Sequence, residues 1–302
     1  MDLDFVRMEY DIIVDETGPL FTLLHDALRT YETHFRAACC QSIDAACSSC
    51  SRNDECPYRI VFDQGLSSDP EIVRLHQKPS LPYSLYIRGA ERSVTTCSLG
   101  LVVIGSAVNY VELFHAAVLR MVESALVTFL PRAAVTHHTY SLDYHGARHD
   151  ISDITTLRGS VILLSGQHIL HNTVHCESVL LSLISPLRLL TNGSIAHRFD
   201  FPSFFRSQLR RCSSLCAYYG SGTFDLDFVR LSECAQNVAV FEDKIRYTQP
   251  QWSPRLNRAG LLGTIECTDL IEPMFSLLLL GSYFNAGKGA TLGAGFYKVE
   301  VM

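Results

Sequence analysis

Several side chains able to carry protons or stabilise negative charge crowd one stretch of this 302-residue chain: His25, Arg29, Tyr31, His34 and Arg36. An imidazole takes and returns protons near neutral pH, and a guanidinium stabilises charge building on an oxygen. Together these groups could supply the base, acid and cation that general acid–base chemistry on an anionic substrate requires. In a helix, His25, Arg29 and Arg36, four and seven residues apart, line one flank beside the apolar stripe, and His34 borders the opposite flank. Glu32 shares the flank of Arg29 and Arg36 and could simply pair with either as a solvated ion pair.

A second stretch is suited to holding an anion. Gly287-Lys288-Gly289-Ala290-Thr291-Leu292-Gly293-Ala294-Gly295 carries four glycines in nine residues. Glycine permits positive φ and lets backbone N–H groups approach a phosphate without an intervening Cβ, and Lys288 adds a point charge. The spacing is not that of a nucleotide P-loop, which needs Gly-Lys followed by Ser or Thr at a helix start. A strand and not a helix follows, so it is not a dinucleotide fingerprint either. A tight turn into an edge strand would explain the glycines equally well. Cations gather upstream of it: Arg188, Arg198, Arg206, Arg210 and Arg211 are accompanied by one acid, Asp200. Arg206 and Arg210 share a helix face and could follow successive phosphates, or form a solvated basic face. Arg246, Tyr247, Trp252, Arg255 and Arg258 mix cations with aromatic rings that could stack an unpaired base, although Trp252 would serve equally as core.

Eleven cysteines point to thiols more than to a disulfide framework, the count being odd. Cys47-Ser48-Ser49-Cys50 has the spacing of a zinc-knuckle pair, and Cys40 and Cys56 could complete a tetrahedron of structural zinc. A loop of free thiols is the alternative. His137, His138, His145, His149, His168, His171 and His175 lack the spacing of a known metal motif and read as an exposed polar region.

These groups need a scaffold. A strand is expected at Tyr10–Val14, then a helix over 20–38 whose buried stripe is Phe21, Leu24, Leu28, Tyr31, Phe35 and Ala38. Strands are expected at Tyr58–Phe62 and Pro79–Ile87, a turn or strand at Leu99–Gly105, a helix at Val108–Val127, and a hairpin or linker at Thr136–Asp153. The second half repeats the pattern, with strands at Ser178–Ile184, Val238–Tyr247, Leu261–Thr268 and Gly295–Val301 and helices at Ser203–Tyr219 and Ile271–Tyr283. Asn192-Gly193 marks a turn. The order in each half is compatible with an α+β fold of two tandem ferredoxin-like domains, residues 1–172 with a Cys-rich insertion and residues 173–302 with the glycine loop.

The bulk numbers agree with a globular protein: 47% of residues are hydrophobic. No apolar run approaches the length of a membrane span, and the acidic N-terminus lacks signal-peptide order, so a soluble, cytoplasmic chain is expected. The net charge of −6 is unevenly spread. Residues 1–180 hold 13 Lys and Arg against 21 Asp and Glu, and residues 181–302 hold 12 against 10, so the second half is net positive by 2. A polyanion senses that local field because distant charges are screened beyond about 8–10 Å.

The stretch from Leu277 to Tyr297, with its Gly-Lys-Gly and Gly-Ala-Gly core, resembles the signature of the CRISPR repeat-processing endoribonucleases of the RAMP superfamily. Cys56–Phe62 resembles that family's early strand. Leu183–Leu189 with Asn192-Gly193 resembles its mid-chain strand and turn, and Phe199–Pro202 leading to Leu209-Arg210-Arg211 resembles the following helix. The resemblance implies RNA-recognition-like ferredoxin folds and a role in antiviral defence. It implies metal-independent cleavage of CRISPR repeat RNA, in which the 2′-hydroxyl attacks the adjacent phosphate and leaves a 2′,3′-cyclic phosphate. It also implies that the catalytic histidine sits on the first helix, with His25 as first choice, His34 as second, Arg29 on the phosphate and Tyr31 or Lys288 assisting. RNA contacts would come from Gly287, Lys288, Gly289, Gly293, Gly295, Arg188, Arg206, Arg210, Arg211, Arg255 and Arg258, and no cofactor is needed for cleavage. Two positions depart from the pattern: Asn285 stands where a His is usual, and Leu292 where an aromatic is usual. The first moves catalysis away from the loop and leaves room for a non-cleaving repeat-RNA-binding subunit of a CRISPR effector complex.

Overall fold

A computed structural model describes residues 3–40, 47, 50–51, 55–89, 94–151, 157–191, 193–221, 226–241, 244–249 and 259–302. The chain divides into two compact units, Phe5–Leu164 and Ser165–Met302, with Leu3 and Asp4 belonging to the second. The division falls after residue 164, whereas the sequence pattern suggested residue 172.

The first unit runs β1 (Asp4–Gly18), α1 (Leu20–Ala27), α2 (Tyr31–Cys39), α3 (Pro57–Phe62), α4 (Pro70–Leu75), β2 (Tyr83–Arg88), β3 (Val94–Ile104), α5 (Val111–Phe129), β4 (Val135–Leu142), β5 (Arg148–Asp150), α6 (Leu157–Ser160) and β6 (Leu163–Ser165). Its sheet order is β2-β3-β1-β4-β5, with each of these neighbours antiparallel. The second unit runs α7 (Gly166–Asn172), β7 (Val179–Leu187), β8 (Leu190–Thr191), β9 (Ser194–Ile195), α8 (Phe201–Tyr219), α9 (Phe228–Cys234), β10 (Ala239–Phe241), β11 (Arg246–Thr248), β12 (Gly260–Thr268), α10 (Met274–Phe284) and β13 (Tyr297–Val301). Its sheet order is β10-β12-β7-β13, with β11 also on β12. Counting β1–β4 in the first unit and β7, β10, β12 and β13 in the second, each unit places its first strand between its third and fourth, the β-α-β-β-α-β arrangement of a ferredoxin-like fold.

Alternation along β1 explains the first sheet. Met8, Tyr10, Ile12 and Val14 are buried, and Arg7, Glu9 and Asp11 take the opposite face. Glu9 is fully buried there and is compensated by ion pairs to Arg88 and Arg148, the latter also reaching Asp11 at 2.7 Å. Leaving that carboxylate unpaired would cost several kcal/mol, roughly the 3–5 typical of a broken buried pair.

Two expected elements differ. Tyr58–Phe62 is helical, because Pro57 occupies a first-turn position and four-residue spacing stacks Tyr58 on Phe62 with ring centroids 5.3 Å apart. Val61 is thereby buried and Phe62 meets Phe35 edge-on. The helix expected over 20–38 is two α-helices joined by a 3₁₀ turn at Leu28–Thr30. Five of the six expected stripe residues, Phe21, Leu24, Leu28, Tyr31 and Phe35, are buried, and Ala38 is half-buried.

Behind β1 lies one buried imidazole. His115 on α5 is 3% exposed, its Nδ1 lies 3.1 Å from the Tyr10 hydroxyl, and burial, with His137 nearby, pulls its pKa down to about 4. The unfolded imidazole binds a proton near pH 6.5 that the folded one refuses until about pH 4. Its contribution is therefore fully present above 6.5 and declines as pH falls toward 4, by about 3 kcal/mol. In urea unfolding at pH 7 and pH 4, wild type is expected to lose about that much more stability than His115→Asn. Equal losses in the two proteins would refute it.

Candidate nucleic-acid interface

The glycine loop occupies the α10–β13 connection of the second unit. Its glycines at 287, 289, 293 and 295 all have positive φ, between 65° and 85°. Two of the four are demanded by packing against the loop's own neighbours. A Cβ on Gly287 would stand 2.7 Å from the Arg188 carbonyl oxygen, and one on Gly295 would overlap the Ala286 carbonyl. The loop backbone is tied to β7 and the residue after it: Lys288 N–H donates to the Arg188 carbonyl at 2.9 Å and Gly295 N–H to that of Pro186 at 3.0 Å. Pro186 is thus carried inside β7, although the sequence suggested that it bounded the strand. Gly289 is less constrained, with Ala294 Cβ and Arg188 Nη1 3.4 and 3.8 Å from its would-be Cβ.

Between Gly289 and Gly293 the chain makes a short 3₁₀ turn, Ala290–Leu292, whose first internal bond is Leu292 N–H to the Gly289 carbonyl at 2.9 Å. The amides of Ala290 and Thr291 precede that bond. Arg188 reaches beside Gly289, forms no ion pair among the described residues, and holds a buried Nε without a hydrogen-bond partner there. Lys288 is exposed. The loop therefore offers backbone amides, a guanidinium and an ammonium with no carboxylate among the described residues to neutralise them, a set of donors suited to a phosphate.

Asn285, at the position where the sequence departs from the expected histidine, closes the loop. It is 0% exposed with φ of 60°, and its Nδ2 donates to the Ala290 carbonyl at 2.9 Å. The sequence signal that could have shown this role is an Asn next to a helix end, a residue type that tolerates positive φ.

The expected basic contacts separate. Arg206 and Arg210 are exposed on α8, with Arg206 near Ser203 at 3.4 Å. Arg211 instead donates its Nε to the Phe284 carbonyl at 2.9 Å, satisfying the end of α10. Trp252, Arg255 and Arg258 lie outside the described residues.

The first-unit candidates do not form one constellation. His25 is 2% exposed and meets Phe21 edge-on, with ring centroids 5.1 Å apart. Tyr31 is fully buried and donates its hydroxyl to the Phe114 carbonyl at 3.0 Å, and burial holds its pKa well above the ordinary value. This corrects the reading of Tyr31 as a proton-transfer helper, because its proton is committed inside the core. Arg29 is exposed on the 3₁₀ turn. His34 is half-buried on α2, and burial together with the Arg120 cation lowers its pKa. Arg36 lies over the Tyr58 ring at 5.5 Å and hydrogen-bonds the Cys40 side chain.

Cys40, Cys47, Cys50 and Cys56 are half-buried free thiols, and Cys50 N–H closes a turn onto the Cys47 carbonyl at 3.2 Å. Among the described residues no group of three or more His, Cys, Asp or Glu is placed to hold a metal ion, so the expected tetrahedral set is not assembled. No described helix is long and apolar enough to cross a membrane.

Comparison with known proteins places this architecture. The family model for CRISPR-associated endoribonuclease Cas6 matches residues 181–297, and a second model, described as an N-terminal domain, matches residues 3–153. No curated protein matches the sequence. The solved "Cas6 (TTHB231) product complex" is 14% identical, with 98% of this chain and 100% of that chain covered and a TM-score of 0.56. Thermus thermophilus Cas6 (TTHB231) is 10% identical over 99% of both chains, with a TM-score of 0.56. The "Cas6 (TTHA0078) product complex" is 13% identical over 98% and 99%, with a TM-score of 0.53. Two ferredoxin-like units in tandem, the second ending in a glycine loop hitched to its first strand, are the fold this chain shares with those Cas6 structures. Its second unit is similar to the CRISPR-associated endoribonuclease Cas6 family over residues 181–297.

The loop geometry separates its glycines by energetic weight. Gly295→Ala, which combines positive φ with backbone overlap, should destabilise by roughly 3–4 kcal/mol. Gly289→Ala, strained only in φ, should cost about 1 kcal/mol. Urea unfolding of the two variants, with comparable losses as the contrary result, checks this ranking.

Proposed function

We propose that this protein binds CRISPR repeat RNA and cuts it without a metal ion, leaving a 2′,3′-cyclic phosphate and a 5′-hydroxyl. One observation carries the reading: the glycine loop with Arg188 and Lys288, a cationic donor set with no carboxylate partner among the described residues, lies inside the segment matched by the Cas6 endoribonuclease model. Those donors would grip backbone phosphates. Two of the solved structures that this chain resembles are Cas6 product complexes, which supports RNA as the ligand.

The cut is an internal displacement. A base takes the proton of the 2′-hydroxyl, and the 2′-oxygen forms a bond to phosphorus. The bond to the 5′-oxygen breaks, and that oxygen gains a proton from a general acid. His34 is the better base of the two first-unit histidines. Its imidazole is partly accessible, and its lowered pKa keeps it neutral and able to accept a proton at pH 7. His25 is enclosed by its own helix's apolar stripe. Arg29, exposed and cationic, is suited to the extra negative charge at phosphorus. A second reading, a repeat-RNA-binding subunit that does not cut, is favoured by Asn285 standing where a loop histidine is usual and by the burial of His25.

Incubation of the protein with its repeat RNA in EDTA tests the choice. Cleavage with a cyclic phosphate end supports the enzyme, and tight binding without cleavage supports the subunit. If it cuts, His34→Ala should slow the single-turnover rate by about 100-fold or more. His25→Ala should lower thermal stability while leaving the folded protein's rate close to wild type. The wild-type rate should rise with pH through an apparent pKa below 6.5 and then level off, because the base must be unprotonated. A rate that depends on His25 and ignores His34 would reassign the base.

A second measurement addresses the grip. Arg188→Ala should weaken RNA binding and reduce the slope of log affinity against log salt by about 1. An unchanged slope would remove Arg188 from the phosphate contacts.

A further inference from the structure

The second unit carries an exposed stacked ring pair outside the sites assigned above. His197 follows the β8–β9 hairpin and is exposed, and its ring lies on that of Tyr247 on β11 with centroids 3.9 Å apart and planes 13° from parallel. Tyr247 is half-buried and backs the exposed imidazole. The two residues are 50 positions apart in sequence, so the pair is made by the fold.

Backbone hydrogen bonds and strand register link the pair to the elements that carry the phosphate grip. Lys288 is bonded to the Arg188 carbonyl, and the Leu189 carbonyl accepts from Ala196 N–H at 2.9 Å, immediately before His197. Tyr247 pairs in register with Leu261, which pairs with Leu187, immediately before Arg188. One continuous backbone path thus joins the glycine loop, Arg188 and the stacked rings within a single unit. Arg198 and Arg246, each adjacent in sequence to a member of the pair, are exposed and form no ion pair among the described residues. A planar ring presented to solvent with exposed cations next to it in sequence is an arrangement suited to a single-stranded nucleotide, with the cations on phosphate and the ring under a base.

We propose that His197, supported from beneath by Tyr247, is a stacking platform for one unpaired nucleobase of the bound RNA, next to the phosphates held by Arg188 and the glycine loop. The assignment rests on the RNA-binding reading but commits to a separate contact. Stacking ignores base identity, so the platform selects an unpaired base over a paired one and not one letter over another. It would fix where a single-stranded stretch leaves the grip.

The test uses the full-length protein and a short single-stranded RNA, compared with the same backbone lacking its bases. Wild type should bind the base-bearing strand about 10-fold tighter than the abasic one, within the range of one base–aromatic stack. His197→Ala should erase that ratio while leaving the salt dependence unchanged. His197→Phe, which keeps a ring, should restore it, a rescue that a merely structural role would not give. Tyr247→Leu should reduce the ratio through loss of support. Equal affinity of wild type for both strands, or a ratio that survives His197→Ala, overturns the platform. Failure to cut or recognise repeat RNA with the ratio intact would defeat the proposed function and leave the platform standing.

Discussion

The second unit depends on the close approach of the α10–β13 loop to β7. Gly295 can donate to Pro186, and Lys288 to Arg188, only because the backbone at 287 and 295 carries no side chain. The same contacts order the entry to β13: Ile184 and Ser185 N–H groups both reach the Phe296 carbonyl, and Phe296 N–H returns to the Ser185 hydroxyl at 2.8 Å. A side chain at either glycine would push the loop off the strand and with it Lys288, the 3₁₀ amides and the start of the last strand. One steric constraint therefore shapes both the sheet edge and the donor set.

Among the described residues, arginine ion pairs occur only in the first unit. In the first, Arg88 and Arg148 neutralise buried Glu9, Arg59 pairs with Asp63, and Arg74 with Glu71. A guanidinium already bound to a carboxylate gives little to a phosphate. In the second, Arg188, Arg198, Arg206, Arg210 and Arg246 have no acid partner among the described residues, so their fields remain available to an anion. This difference gives physical content to the charge contrast between residues 1–180 and 181–302.

Much of this was legible from residue order. The β7 apolar run, the long α8 opened by Phe201-Pro202 and the glycine spacing are local signals, and the fold obeys them. Signals that need geometry failed. Tyr58–Phe62 is a short apolar run whose composition suits a strand, yet an initiating proline and a four-residue aromatic stack made it helical. His25 was expected on a flank beside the apolar stripe, yet its ring is inside against Phe21, which spacing alone does not show. Arg211 looked like Arg206 and Arg210 because charge patterning cannot show that its guanidinium caps a neighbouring helix. His197 and Tyr247 are paired by strand register across β11, β12 and β7, which no local pattern encodes.

Asn285 shows how a substitution can be misread when only its chemistry is considered. Replacing an expected imidazole by an amide looks like the loss of an acid or base. Here position 285 is wholly buried, its backbone adopts positive φ, and its amide is spent on the Ala290 carbonyl inside the loop. A residue so placed stabilises the curvature that presents Lys288 and the amides of Ala290 and Thr291. An imidazole Nδ1 lies the same number of bonds from Cα, but a histidine here would have to fit a larger ring into a fully buried position to make this contact. The change at 285 is therefore coupled to how the loop is held, and position 285 belongs to the architecture of the grip before it belongs to the chemistry of cutting.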